Sequence, residues 1–202
     1  SAEIFCGESG STLRFLTPVA AALGADALFT GAGRLPERPM EPMLSLLEQN
    51  GVNVRRSGGA GLPFYLSGRL KPGEYTLPGN ISSQFITGLL LALPLCEGDS
   101  SVRVLPPFES RPYVELTVEV MSRYGVDECE KDGVFLIKGG RRYRACSLDA
   151  EGDWSNAAFW LCAGAIGGNV TVTGLSMASR QADRAIVGLL RAMGADLSET
   201  DS

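Results

Sequence analysis

At 202 residues the chain is long enough for one large core, or for one domain and part of another, and its 45% hydrophobic and 20% charged content excludes a disordered chain. Lys and Arg number 18 against 23 Asp and Glu, and the formal net charge of -5, with no histidine, argues against a nucleic-acid binder with its basic footprint. A small anionic ligand stays open, because a few arginines and helix ends act locally.

In chain order, Ser1–Cys6 reads as a strand. A Gly-Glu-Ser-Gly turn at Gly7–Gly10 then opens a mostly apolar helix over Ser11–Leu23 that stops near Gly24. A strand follows over Ala27–Thr30, then a Gly/Arg/Pro loop to Pro42, and a helix face marked by Met43, Leu44, Leu46 and Leu47 with Asn50-Gly51 as its stop. Val52-Asn53-Val54 is the next strand. The same order returns with a helix from Ser83 to about Leu95, a strand over Val102–Leu105, and a helix carrying Val114, Val118 and Met121 that ends at Gly125. A third pass gives a helix over Ser155–Ile166, a strand over Val170–Thr173 and a helix with Ile186, Leu189, Leu190 and Met193 at i, i+3, i+4 and i+7. Between passes lie extended segments read as pairs, Phe64–Ser67 with Tyr75–Leu77 and Val134–Ile137 with Ala145–Leu148.

The opening turns at Gly7, Gly79 and Gly152 recur at a spacing of about 72 residues, a period that marks a supersecondary unit rather than a small solenoid repeat. Each unit is βαβαββ, so the fold class is α/β (α+β). Its helices are apolar enough all round to sit inside, ringed by sheet. The third unit stops after its second helix and the chain starts without an initiator Met, so it reads as a piece of a longer protein.

Five cysteines (Cys6, Cys96, Cys129, Cys146 and Cys162) lack CxxC spacing and sit mostly in apolar or strand-like contexts, so buried reduced thiols in a cytosolic protein are expected rather than disulfides or zinc ligands. The nearly uncharged run Phe85–Cys96 is too short to span a bilayer, and no signal peptide precedes it. No membrane partner is expected, and the location is cytoplasmic.

Four stretches combine residue types suited to anions. Gly7-Glu8-Ser9-Gly10-Ser11-Thr12-Leu13-Arg14 is a small-residue turn into a helix with a cation one turn in, where Gly10 allows close approach to first-turn N–H groups. Gly31–Met40 holds Arg34 and Arg38 on a loop stiffened by Pro36 and Pro39, and a guanidinium offers a planar fork to carboxylate or phosphate. Ser82-Ser83-Gln84 places two hydroxyls and an amide at a helix start, and Glu109-Ser110-Arg111-Pro112-Tyr113 occupies the arginine-loop position of the second unit. Ordinary N-caps and solvated loop arginines are the structural alternatives for each stretch taken alone.

Taken together, the four resemble the 3-phosphoshikimate 1-carboxyvinyltransferase (EPSP synthase) family. Gly7–Leu16 looks like that family's Asn-Ala-Gly-Thr-x-x-Arg stretch, and Arg34–Met40 like its Arg-x-x-Glu-Arg-Pro loop. Ser82–Phe85 is similar to its Ser-Ser-Gln-Phe helix start, Ser110–Tyr113 to its Ser-Lys/Arg-Pro-Tyr loop, and Gly152–Ser155 to its Gly-Asp-x-Ser crossing between domains. The resemblance implies the inside-out α/β barrel (prism) of enolpyruvyl transferases. Residues 1–151 would form most of the domain that binds shikimate 3-phosphate, with a hinge near Ala150–Asp153, and residues 152–202 would begin the second domain. It implies transfer of the enolpyruvyl group of phosphoenolpyruvate to the 5-hydroxyl of shikimate 3-phosphate through a tetrahedral adduct. No metal or organic cofactor is implied, and the full-length enzyme, a glyphosate target, would act as a monomer.

Carried onto this sequence, the resemblance gives Ser82, Ser83, Gln84 and Ser110 to shikimate 3-phosphate. It gives Gly10, Arg38 and Gln84 to phosphoenolpyruvate. Departures are Glu8-Ser9 for Asn-Ala, Phe15 for a frequent Pro and Pro36 for an Arg. Glu8 beside an anion site is expected to point away or to pair with an arginine. The family's N-terminal lysine region and its C-terminal acidic and basic residues have no counterpart here, so no catalytic residue is assigned and the chain alone is expected to be inactive. Two alternatives remain: the related UDP-N-acetylglucosamine 1-carboxyvinyltransferase, and a non-catalytic anion-binding module that uses the repeat only for packing.

Overall fold

The structure is a computed structural model and describes residues 2–57 and 61–200. These fall into two compact units, one ending at Ala145 and one beginning at Cys146.

The first unit contains the βαβαββ order twice. Its first pass is β1 (Ala2–Phe5), α1 (Gly10–Ala22), β2 (Ala27–Thr30), α2 (Met43–Gln49), β3 (Val52–Arg56) and β4 (Phe64–Gly68). Its second is β5 (Glu74–Pro78), α3 (Ser83–Ala92), β6 (Ser100–Leu105), α4 (Arg111–Arg123), β7 (Cys129–Lys131) and β8 (Val134–Ile137). Each pass builds a four-stranded mixed sheet with the same strand order, β1-β2-β4-β3 and β5-β6-β8-β7. The first two strands of each sheet run parallel, because a helix connects them, and the last two are antiparallel.

Register corrects one expectation. Phe64–Ser67 does not pair with Tyr75–Leu77: β4 lies between β2 and β3 in the first sheet, whereas β5 pairs only with β6 in the second. Adjacency in sequence suggested a hairpin, but each segment completes the sheet of its own repeat. Nor do Ala145–Leu148 and Val170–Thr173 form strands; neither segment has a ladder partner among the described residues. Ser1, assigned above to the first strand, lies outside the described residues.

Helices α1 and α3 pack along one another inside the first unit. Both are capped at their first turn by serine, Ser9 Oγ accepting from the Thr12 N–H at 3.1 Å and Ser82 Oγ from the Gln84 N–H at 3.3 Å. Their contact is set by small and ring residues. Pro18 lies inside α1 and has no N–H to give to the Arg14 carbonyl four residues earlier. That carbonyl faces Gly88 of α3, where an added Cβ would lie 2.4 Å from Arg14 O and 2.9 Å from Pro18 Cγ. The α1/α3 surface joins one continuous core with Phe29, Phe64, Leu66, Tyr75, Leu89 and Val102, all buried. Phe29 and Phe64 stack across adjacent strands at 5.1 Å between ring centroids.

The thiols divide differently from expectation. All five are free, Cys6 and Cys96 are buried, Cys162 is half-buried, and Cys129 and Cys146 are exposed because they lie at a strand end and in an unpaired extended segment. No helix among the described residues is long and apolar enough to cross a membrane.

Between α4 and β7 both carboxylate oxygens of Glu128 are sealed from solvent without a hydrogen-bond partner. Burial pushes this carboxyl up to about 8. Since the folded-state value exceeds the unfolded one, the neutral form favours folding: stability is full below the ordinary glutamate range and is lost as pH rises towards 8. Glu128→Gln should therefore remove most of this slope in thermal unfolding between pH 5 and 9, by up to several kcal/mol on the order of 1.4 per pH unit. An unchanged slope would show that another group sets it.

The second unit holds α5 (Trp154–Gly167) and α6 (Ile186–Ala192). Contrary to the all-interior expectation for apolar helices, α5 exposes Phe159 (76%), Trp160 (64%) and Ile166 (87%), while only Trp154 and Ala157 are buried. A helix apolar on every side hides only the faces that neighbouring elements cover.

Candidate functional site

The opening turns and the loops that follow the second strand of each pass are joined by repeated backbone bonds. In the first pass the Cys6 N–H donates to Thr30 O at 2.8 Å and the Ala32 N–H to Gly7 O at 2.7 Å. In the second the Gly79 N–H donates to Leu105 O at 2.9 Å and the Glu109 N–H to Gly79 O at 3.1 Å. Each loop is thereby held against the turn that starts the preceding helix. This is why Arg38 comes to Gly10, and why the Ser110 loop comes to the start of α3.

Four side chains and one bare backbone position converge where α1 and α3 begin. Gly10, buried in the first turn of α1, has so close a lining that a Cβ there would lie 3.0 Å from Arg38 Nη1, 3.5 Å from Arg14 Nη1 and 3.6 Å from Gln84 Oε1. Arg14 Nη1 donates to Gln84 Oε1 at 2.7 Å, and Gln84 Nε2 donates to Ser11 Oγ at 2.9 Å. The Arg14 guanidinium also lies over the Phe85 ring at 5.0 Å. Neither Arg14 nor Arg38 forms an ion pair with a carboxylate among the described residues. Burial, together with the positive charge of Arg38, lowers the Arg14 guanidinium below its usual value. Two uncompensated guanidinium groups beside helix-start N–H groups form a local positive site on a chain whose net charge is negative.

Of the residues carried over from the resemblance, the structure brings Gly10, Arg38 and Gln84 together, and it puts Ser82 and Ser83 at the cap and first residue of the helix that bears Gln84. Ser110 takes the N-cap position of α4 with a left-handed backbone (φ 55°); its side chain makes no capping bond and is exposed. The neighbouring Arg111 differs from Arg38 in environment. It is held by Glu115 at 2.7 Å and Glu130 at 2.6 Å and lies over Phe108. The repeat thus presents an arginine at corresponding places twice, of which the second, at the first position of α4, is paired by carboxylates from α4 and β7.

Among the described residues Glu8 neither joins the cluster nor forms an ion pair with an arginine; its carboxylate covers Gly33, where a Cβ would lie 2.5 Å from Glu8 Cδ. The third opening turn has also lost its anion-collecting character. Asp153 accepts from the Ser155 N–H at 3.0 Å, and that bond holds its carboxyl below the usual range. A carboxylate of the chain itself therefore occupies the helix start. Nearby, Glu151 accepts from Ser179 at 2.8 Å and from Gln181 at 3.0 Å. No group of three or more His, Cys, Asp or Glu among the described residues is placed to hold a metal ion.

Two members of the cluster, Ser11 and Arg14, were not assigned as site residues from sequence. Arg14 stands four residues after Gly10, one helical turn along the same face, and that spacing was the available signal.

The family model for EPSP synthase (3-phosphoshikimate 1-carboxyvinyltransferase) matches residues 1–202. A 3-phosphoshikimate 1-carboxyvinyltransferase of Clostridium kluyveri is 42% identical over 204 residues, covering 99% of this chain and 47% of that protein. That of Clostridium acetobutylicum is 39% identical over 197 residues, covering 97% and 46%. The solved EPSP synthase of Acinetobacter baumannii superposes with a TM-score of 0.79 at 27% identity, over 98% of this chain and 44% of that one. The chain spans about half the length of the curated relatives it matches. On this match over its whole length, the chain belongs to the EPSP synthase family.

Proposed function

We propose that this chain is the part of an enolpyruvyl transferase that collects its two anionic substrates, phosphoenolpyruvate and shikimate 3-phosphate, and that the full-length protein works as a cytoplasmic monomer without a nucleic-acid partner. The observation that carries the reading is the pair of guanidinium groups, Arg14 and Arg38, that stand over Gly10 without a carboxylate partner among the described residues, with the Gln84 amide between α1 and α3. Phosphoenolpyruvate sits over Gly10 against Arg38, where the bare backbone leaves room and a guanidinium can fork onto carboxylate or phosphate. Shikimate 3-phosphate lies at the start of α3, its phosphate on Ser82, Ser83 and the first-turn N–H groups, with Ser110 as a further contact. Gln84 lies between the two.

In the reaction the 5-hydroxyl oxygen bonds to C2 of phosphoenolpyruvate, the hydroxyl proton leaves to a base and C3 takes a proton. The adduct then loses phosphate and a C3 proton. The role assigned to this chain is to bind and orient, holding positive charge where the phosphate departs. The groups that move protons are assigned to the remainder of the full-length protein, so the 202-residue chain alone turns nothing over. Residues 1–151 belong in this reading to the shikimate-3-phosphate domain and 152–202 to the other domain.

Titrating the full-length protein with each acceptor in the presence of phosphoenolpyruvate tests the assignment. Phosphate release with shikimate 3-phosphate and none with UDP-N-acetylglucosamine is expected. The reverse preference would reject it, and turnover with neither acceptor would favour the non-catalytic module.

A further inference from the structure

We infer that Arg14 and Ser11 are positioning residues for the Gln84 amide, Arg14 fixing which way it faces and Ser11 holding its nitrogen end, and so decide which of its groups remains for a ligand. The inference rests on the reading above for what that ligand is, but not for the geometry. A guanidinium carries donors only, so the atom of Gln84 that faces Arg14 Nη1 at 2.7 Å must be the carbonyl oxygen. The amide nitrogen then points the other way and donates to Ser11 Oγ at 2.9 Å. A flipped amide would set NH2 against the Arg14 guanidinium, whereas the Ser11 hydroxyl could turn to donate to the carbonyl, so the cost of a flip falls on the Arg14 side. Two donors facing one another across that distance leave both unsatisfied.

Arg14 can hold this position because two other contacts and its burial limit it. Its guanidinium lies over Phe85, the residue next to Gln84, at 5.0 Å. Its Nη2 points to the Pro39 carbonyl at 3.4 Å, at the base of the loop carrying Arg38, and its Nε is sealed from solvent without a partner. Ser11 in turn sits next to Gly10 in the first turn of α1, so α1 carries its hydroxyl to the nitrogen end of the amide. With both ends of the amide engaged on α1, Gln84 keeps one N–H and one carbonyl lone pair for ligand. The free N–H is the group suited to an anion, and the fixed orientation keeps it pointed away from the carbonyl side. The device spans two repeats: α1 supplies both holders and α3 supplies the held amide.

The test uses the full-length enzyme and a double-mutant cycle with Gln84→Ala. Arg14→Ala is expected to lower kcat/KM by roughly 10-fold or more in the parent, but by no more than about 3-fold in the Gln84→Ala background, since residues acting through one another are not additive. Ser11→Ala, which changes no charge, should show the same dependence with a smaller loss, and Ser11→Thr should restore the parent value. Equal fold-losses in both backgrounds, for both holders, would overturn the inference and make each a direct or purely structural contributor. The Gln84 side-chain amide proton signals of the ligand-free protein give a second readout, and both variants should shift them and speed their exchange with water. Unchanged signals would overturn the inference even if the enzyme uses both proposed substrates. Shifted signals in a protein that binds neither substrate would leave this geometry standing and reject the proposed function.

Discussion

Replacing Arg38 with alanine in the full-length protein should lower kcat/KM for phosphoenolpyruvate by about 10- to 100-fold, the value of a charge-assisted hydrogen-bonding partner. The loss should fall mainly on the phosphoenolpyruvate side, because Arg38 Nη1 lies over Gly10 while the serine cap of α3 is untouched by the change. Steady-state kinetics with each substrate varied in turn checks this: KM for shikimate 3-phosphate should move by no more than a few-fold. Equal losses for both substrates would place Arg38 in the general field of the site rather than on one ligand. Arg111→Ala is the matched control. Its guanidinium is already engaged by Glu115 and Glu130, so removing it should leave the phosphoenolpyruvate response intact.

Gly88→Ala should damage both stability and activity from a position that bears no functional group. The added methyl would lie 2.4 Å from the Arg14 carbonyl and 2.9 Å from Pro18, and backbone cannot yield as a flexible side chain does. Overpacking of this kind costs about 1–3 kcal/mol or more, and relief comes only by moving α1 and α3 apart. That movement lengthens the Arg14–Gln84 and Ser11–Gln84 bonds, which connect the same two helices. The expected results are a fall in unfolding midpoint and, at temperatures where the variant is folded, a lower kcat/KM for both substrates. A destabilised variant with parent kinetics would show that the site tolerates a shift between α1 and α3. An unaffected midpoint would mean that the helices have room that the close approach denies.

The contrast between Arg38 and Arg111 shows how far residue types alone can be read. Both belong to corresponding stretches of successive repeats suited to anions, Arg38 on the loop before α2 and Arg111 at the first position of α4. Glu115 and Glu130 both reach Arg111, one from four residues along its own helix and one from a different strand. The first of these was visible as an i, i+4 pair. The second depends on chain reversal and was not. Glu8 makes the same point: its charge was plain in the sequence, while its placement over Gly33 depends on how the loop folds back.

Local sequence determined the elements of the first unit, because periodicity, serine caps and glycine stops act within a few residues. The helix starts at Gly10, Ser83 and Trp154 follow from Ser9, Ser82 and Asp153, whose side chains accept first-turn N–H groups. The repeat, and with it the family, was legible for the same reason. Strand partners were not: β4 and β5 are neighbours in the chain and belong to different sheets, since pairing is settled by which sheet each segment completes. The exposed flank of α5 was equally hidden, because an apolar helix does not say which neighbours cover it. What tertiary structure alone decided was the meeting of α1 with α3. The proline-freed carbonyl of Arg14 fits against Gly88, and that fit sets Arg14 and Ser11 on the two ends of the Gln84 amide, a contact between residues about 70 positions apart that no local pattern encodes.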